Sequence, residues 1–406
     1  MKRLAGAALM MLFVGNVCFA QFPFTAGRSG DAGPVRFETD VDFWYYFDNR
    51  EFDLSQSYYY PSGTSHSVLV TPYAGLSVRQ SASVNHRFML GLELCRDMGS
   101  GLPFEDTFKE LLAFYDVHAA LPGGNFEAVA GVFPRSFQEA EYTEAIYRGG
   151  LKFGDRNFEG CILKYGNGRF YAETGLDWTG MRGQTSRERF QIFTGGRWDA
   201  TDWLRLGWSG SFFHYAGSVE AEGVVDNHLF NPYVRFNVGK YAGVQELSLK
   251  AGAILTYQWD RVQADAVSAP AGAEFVFSLK NWNVRLQNTF YVGGNLQPYY
   301  FSNDVLGVPY GGSLYLGNPF YRSLYDMGEL SWTPRISDCV GLALIFRVYC
   351  GCMPDENGPF GVAGLQQICN LTFDLDKILN PDRVCGRIGK YKERKVRVKA
   401  VPGCTL

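Results

Sequence analysis

The 406-residue sequence predicts an all-β fold, an up-and-down antiparallel barrel of about sixteen strands that closes on itself and is built to cross a membrane. Three observations predict it. Segments with alternating apolar and polar side chains recur along the chain, and strands place successive side chains on opposite faces. Most of these segments are longer than the roughly 5 or 6 residues of a soluble strand and reach the roughly 9 to 11 that a tilted membrane-crossing strand needs. The connections alternate between short turns and long loops, as they must if the two ends of an up-and-down sheet face different compartments. Aromatic residues make up 16% of the chain and glycines number 47. Beyond the N-terminus no run approaches the roughly 20 apolar residues of a membrane helix.

Residues 1–20 read as a secretory signal peptide: Lys2 and Arg3, an apolar run from Leu4 to Val17, then small residues before a cleavage point after Ala20. Val17 ahead of Cys18 does not fit a lipobox. Residues 21–35 are a Gly- and Pro-rich lead-in. The first strand, 36–47, alternates Phe37, Val41, Phe43, Tyr45 and Phe47 with Glu38, Asp40 and Asp42. Strands at 67–80 and 85–96 flank "SASVN", strands at 107–119 and 125–133 flank "LPGGN", and strands at 158–165 and 169–178 flank "GNG", a hairpin signal. The clearest hairpin lies within 188–217 and turns through "DATD". Phe190, Ile192, Trp198, Leu204, Leu206, Trp208 and Phe212 form its greasy face, and Gln191, Arg197, Arg205, Ser209 and Ser211 its wet face. Strands at 227–240, 244–259, 270–280, 282–293, 324–334, 338–350 and 362–375 complete the set. Pro72 and Pro232 fall inside strands, at the loss of one ladder bond each.

The even strand count, the alternation of short turns with long loops, the leader and the aromatics resemble a bacterial outer-membrane β-barrel of the porin-like, sixteen-strand class over residues 36–375. The resemblance implies short periplasmic turns, long outer loops and periplasmic termini. It implies as partners outer-membrane lipid and lipopolysaccharide, the barrel-insertion machinery, small hydrophilic solutes and other copies of the chain. Sixteen strands leave a lumen, since about eight suffice for side chains to fill one. The first strand should pair with the last, because an open edge in hydrocarbon leaves N–H and C=O groups unsatisfied.

The wet phase of the strands supplies the lumen-facing candidates: Arg79, Arg87, Glu93, Glu127, Glu173, Arg197, Arg205, Arg235, Arg285 and Arg347, with Glu246, Glu274 and Glu329. Basic residues gather at the short turns and acidic ones in the long loops, which predicts a negative outer mouth and a mild preference for cations. Loop 134–157 resembles the third loop of general porins, which folds into the barrel, in position, length and charge. The resemblance makes Glu139, Glu141, Glu144, Arg148, Lys152, Asp155 and Arg156 the constriction candidates. "SFQEAEYTEAIY" within it suits a short helix, with Ser136 and Glu139 as a capping box. The Tyr-, Gly- and Pro-rich loop 294–323 is the rival plug or an outer binding surface.

Catalysis finds little support in the sequence. His66, His86, His118, His214 and His228 are scattered, none at ligand or triad-like spacing, and neither a phosphate-cradling Gly-rich loop nor HExxH occurs. "CGC" at 350–352 lacks the CxxC spacing of zinc and redox motifs, so no metal or cofactor is expected. Nucleic-acid binding has no basic, aromatic-interleaved patch to rest on. Residues 376–406 carry nine Lys or Arg against three acids and are expected to be a poorly ordered basic tail, which Cys385 and Cys404 are placed to close. The expected function is passive diffusion of small hydrophilic solutes. A surface-binding or adhesive barrel working through its long loops is the alternative, and an outer-membrane enzyme is a more distant one.

Overall fold

Alternating side chains leave a strand one apolar face that must be kept from water. A computed structural model of the chain shows how sixteen such strands solve this together. It describes residues 35–53, 61–101, 103–149, 151–334, 336, 337, 339–352 and 357–374. The leader expected over 1–20, nearly all of the lead-in expected over 21–35 and the tail expected over 376–406, with Cys385 and Cys404, lie outside the described residues.

The strands are β1 (Val35–Phe52), β2 (Gly63–Arg79), β3 (Val84–Asp97), β4 (Phe108–Leu121), β5 (Gly124–Pro134), β6 (Asn157–Gly166), β7 (Phe170–Gly180), β8 (Arg189–Asp199), β9 (Leu204–Tyr215), β10 (Val225–Asn237), β11 (Glu246–Asp260), β12 (Ala266–Ser268), β13 (Ala271–Asn281), β14 (Val284–Gly293), β15 (Leu324–Trp332), β16 (Val340–Cys352) and β17 (Phe360–Asp374). β12 is a three-residue piece that pairs with the end of β11. The other sixteen pair antiparallel in chain order, and β1 pairs with β17 from Asp42↔Asp374 to Phe52↔Gly364. The sheet is therefore a closed barrel, as the backbone argument requires.

Both prolines interrupt the ladder as expected. The β2–β3 register skips from Val70↔Leu94 to Tyr73↔Gly91 around Pro72, and the β10–β11 register skips from Phe230↔Leu255 to Tyr233↔Gly252 around Pro232. At the second gap the Asn231 side-chain amide donates to the Ala253 carbonyl at 2.9 Å, replacing part of what Pro232 removes.

The turn after β10 is longer than the sequence suggests. β10 stops at Asn237 and β11 starts at Glu246, with a helical turn, Gly239–Ala242, between them. Asn237 Oδ1 accepts the Gly239 N–H at 3.0 Å, and Gly243 ends the turn at φ +71°, a conformation glycine enters without penalty. The alternation of short and long connections is thus softer than the sequence reading had it.

The two faces of the wall reverse the arrangement of a soluble protein. Leu90, Ile192, Leu206, Phe212, Phe275, Leu286 and Leu330 are exposed on the outside, while Asp116, Lys164, Glu173, Ser209, Lys250 and Glu274 are buried inside. An apolar band around a closed sheet is the surface a bilayer accepts. The inner face is not uniformly wet, however. Tyr73, Met89, Phe114, Val129, Phe133, Phe158, Ile162 and Phe193 project inward from β2 to β8 and pack with Phe137 of the loop between β5 and β6. Ser209 and Ser211 are likewise fully buried rather than bathed in lumen water, and Ser211 accepts from Gln191 at 2.5 Å.

Candidate functional site

The lumen is the candidate site, and two loops enter it. Loop 134–157 leaves β5 and turns inward. It forms no helix over "SFQEAEYTEAIY": a single 3-10 turn covers Arg135–Phe137, without a side-chain cap. Ion pairs to different parts of the wall account for this. Lys164 on β6 holds Glu139 at 2.9 Å, and Glu173 on β7 accepts the Glu139 N–H at 2.9 Å and the Tyr142 hydroxyl at 3.0 Å. Glu141 lies across the lumen against Arg235 on β10 at 2.5 Å and Lys250 on β11 at 3.4 Å. Thr143 donates to Glu274 on β13, which Lys250 also contacts at 3.2 Å. Glu144 reaches Arg347 on β16 at 3.8 Å, and Arg347 is held in turn by Glu329 at 2.8 Å. The acids meet cations on four strands that share no helix-like spacing, so an extended path serves them better than a coil.

The remaining constriction candidates stay near the loop's own ends. Asp155 pairs with Arg135 at 2.6 Å, and Arg135 also holds Asp177 on β7 at 2.8 Å. Arg156 lies 3.7 Å from Glu93 and over the Trp44 ring. Arg148 is exposed, and its backbone N–H donates to the Leu316 carbonyl at 3.1 Å. Lys152 belongs to the one-turn helix Leu151–Gly154, but its side chain lies outside the described set.

All ten lumen-facing candidates stand on the inward register of their strands. Arg79 is exposed at the end of β2. Arg87 pairs with Asp116, Glu93 accepts from Asn157 at 3.0 Å, and Glu127 meets Lys164 at 2.8 Å. Arg205 is 2.5 Å and Arg197 is 3.9 Å from Asp199, and Arg285 is 3.0 Å from Glu246. Arg87, Lys164, Arg205 and Arg285, four of the cations that the sequence gathers at the short turns, are therefore each paired with a local acid.

Loop 294–323 also enters the barrel. Tyr315 donates to Gln258 at 2.7 Å, Tyr310 to Asp260 at 3.2 Å, and the Leu314 carbonyl accepts from Asn227 at 3.2 Å. Phe213, Tyr215 and Val225 of the wall pack on Tyr299, Tyr310, Leu314 and Tyr315. Asp304 takes the Arg187 guanidinium at 2.5 Å and the Leu306 and Val308 N–H groups at 2.8 and 2.9 Å. Burial alone would raise its carboxyl pKa, but these donors outweigh it and hold the group below the ordinary carboxylate value. The two loops meet: the Asn318 N–H donates to the Glu144 carbonyl at 2.7 Å, and a side chain at Gly317 would run into the Ala145 carbonyl. Beside this junction lies a cavity of about 260 Å³ bordered by Arg135, Gln138, Tyr142, Tyr147 and Arg148.

Lys250 escaped the sequence reading because it stands between Leu249 and Ala251 in an apolar stretch; only its phase marks it as inward. Asp116 was missed too. His118, read as isolated, sits directly opposite Glu127 across the β4–β5 hairpin and 3.2 Å from Asp116.

A closed sixteen-strand barrel with an apolar outer band and in-folded loops is the architecture of a transmembrane β-barrel. No protein-family model matches the chain, and no curated protein matches it. Solved barrels of similar outline include a loop L8 deletion mutant of OmpT, an outer membrane protein of Vibrio cholerae (TM-score 0.49, 9% identity, covering 84% of this chain and 99% of that one). Salmonella typhi OmpF in complex with daunomycin gives 0.48 at 10% identity, covering 84% and 98%, and Pseudomonas putida OprB gives 0.47 at 7%, covering 83% and 94%. At these identities the likeness says nothing of cargo.

Proposed function

We propose that the chain is an outer-membrane channel for small hydrophilic solutes and ions, narrowed by two loops and mildly preferring cations. The observation that carries the proposal is the path of loop 134–157, whose acids cross the lumen to Arg235, Lys250 and Arg347. A wall lined with charged groups suits hydrated cargo. Asp106, Glu222 and Asp265 are exposed at the long-loop end, and residues 21–375 carry a net charge of −11 once the leader and the basic tail are set aside. Such a mouth concentrates cations. In this reading the short turns and both termini are periplasmic, the outer face meets lipid and lipopolysaccharide, the insertion machinery assembles the barrel, and copies associate as oligomers. The reading includes no catalysis.

In planar bilayers under a KCl gradient the purified barrel is expected to conduct ohmically with a reversal potential of the cation-selective sign. The opposite sign removes the cation preference, and absence of conductance removes the channel. One observation favours a second reading, a surface-binding barrel: Phe301, Val305, Leu306 and Val308 are exposed on loop 294–323. Replacing these four by serine then abolishes ligand capture without altering conductance.

A further inference from the structure

We propose that Asp116, His118 and Glu127 form a binding site for a divalent transition-metal ion on the inner wall, toward the short-turn end. Strand register builds it. His118 and Glu127 are direct partners across the β4–β5 hairpin, and Asp116, two residues before His118, shares its face. One ligand atom from each of the three lies within 4.8 Å of the others.

The arrangement of partners points to a missing cation. Asp116 gives Oδ2 to Arg87, and Glu127 gives Oε2 to Lys164 at 2.8 Å. The second oxygen of each, Asp116 Oδ1 and Glu127 Oε1, is buried and accepts no hydrogen bond, and the Asp116 side chain is fully buried. A buried acceptor left without a donor is destabilising, and an ion bound between the two carboxylates and the imidazole gives this part of the wall the extra positive charge that it lacks. His118 Nε2 lies 3.2 Å from Asp116 Oδ2, the oxygen Arg87 also takes, and 3.8 Å from Glu127 Oε1, and its side chain keeps 30% of its surface exposed, which leaves a route in. One imidazole and two carboxylates suit Zn²⁺ and its first-row neighbours better than the oxygen-seeking Mg²⁺ or Ca²⁺. The charges permit it as well: Asp116, Glu127 and the loop's Glu139 outnumber Arg87 and Lys164. Lys164 bridges Glu127 and Glu139, so an ion here shares a partner with the loop that narrows the lumen. The site does not depend on what crosses the barrel.

The test is Zn²⁺ titration by calorimetry of the full folded barrel in detergent, with its cysteines alkylated. The expected result is one saturable site in the wild type, lost in His118→Ala and in Glu127→Gln and retained in His214→Ala. Unboiled electrophoresis confirms that each variant is folded. No saturable Zn²⁺ binding by the wild type overturns the proposal whatever the variants do. Binding by folded His118→Ala or Glu127→Gln that equals the wild type overturns it too.

Discussion

Lys250→Ala is expected to destabilise the folded barrel by about 3 to 5 kcal/mol, the cost of breaking a buried ion pair from one side. Lys250 is 2% exposed and stands 3.2 Å from Glu274 and 3.4 Å from Glu141. Its removal leaves Glu274 buried with only the Thr143 hydroxyl, and leaves Glu141 with Arg235 alone. The loop should then leave the wall, so the same variant should show noisier and larger channel currents. Urea unfolding followed by electrophoretic mobility measures the first effect. A loss no larger than about 1 kcal/mol, the ordinary worth of a surface pair, means that the loop is held by something else. Acid should act on the same contact. Burial tends to raise the Glu141 pKa, but Lys250 and Arg235 outweigh it and hold the group below the ordinary value of 4.5. A depressed carboxyl contributes stability above its unfolded pKa and loses it as pH falls through the folded one. Currents should therefore be quiet at neutral pH and become noisy only below about pH 4.5.

Leu90→Arg is expected to cost about 2 to 4 kcal/mol, because an arginine at the bilayer midplane of a barrel's lipid face costs that much. Leu90 is exposed on the outer face at the middle of β3, Val84–Asp97. Leu206 shares the outer face but lies two residues into β9, next to the turn at 200–203, so Leu206→Arg should cost only about 0 to 1 kcal/mol. The contrast, read as unfolding free energies in lipid vesicles, checks which side of the wall meets lipid. Equal costs mean that the outer face is assigned wrongly or that the membrane sits elsewhere along the strands.

The strands were legible because lipid on one side forces a period-two pattern that nothing else overrides. Phe88, Leu90 and Leu92 against Arg87 and Glu93 is enough to place β3 and both its faces. What lies on the inner face was legible only where it was charged. Met89 and Val129 share the phase of Arg87 and Glu127, but nothing in the sequence showed what would cover them or Phe114, because Phe137 belongs to a loop that no local pattern ties to them. The acids of that loop were visible, but their partners stand far along the chain: Glu141 and Arg235 are separated by 94 residues. The helix expected over "SFQEAEYTEAIY" does not form for the same reason, since local propensity yields to ion pairs with four strands. The pairing of His118 with Glu127 was within reach of the sequence. The "LPGGN" turn fixes the hairpin register, and counting back from it places the two opposite each other.

The most direct test of the account is the single-channel conductance of the wild type beside a variant lacking residues 138–149, measured in the same lipid and salt. A small, ohmic, salt-dependent conductance is expected in the wild type and a several-fold larger one once the acids that cross the lumen are gone. Equal conductances, or a deletion variant that is folded yet silent, would contradict it.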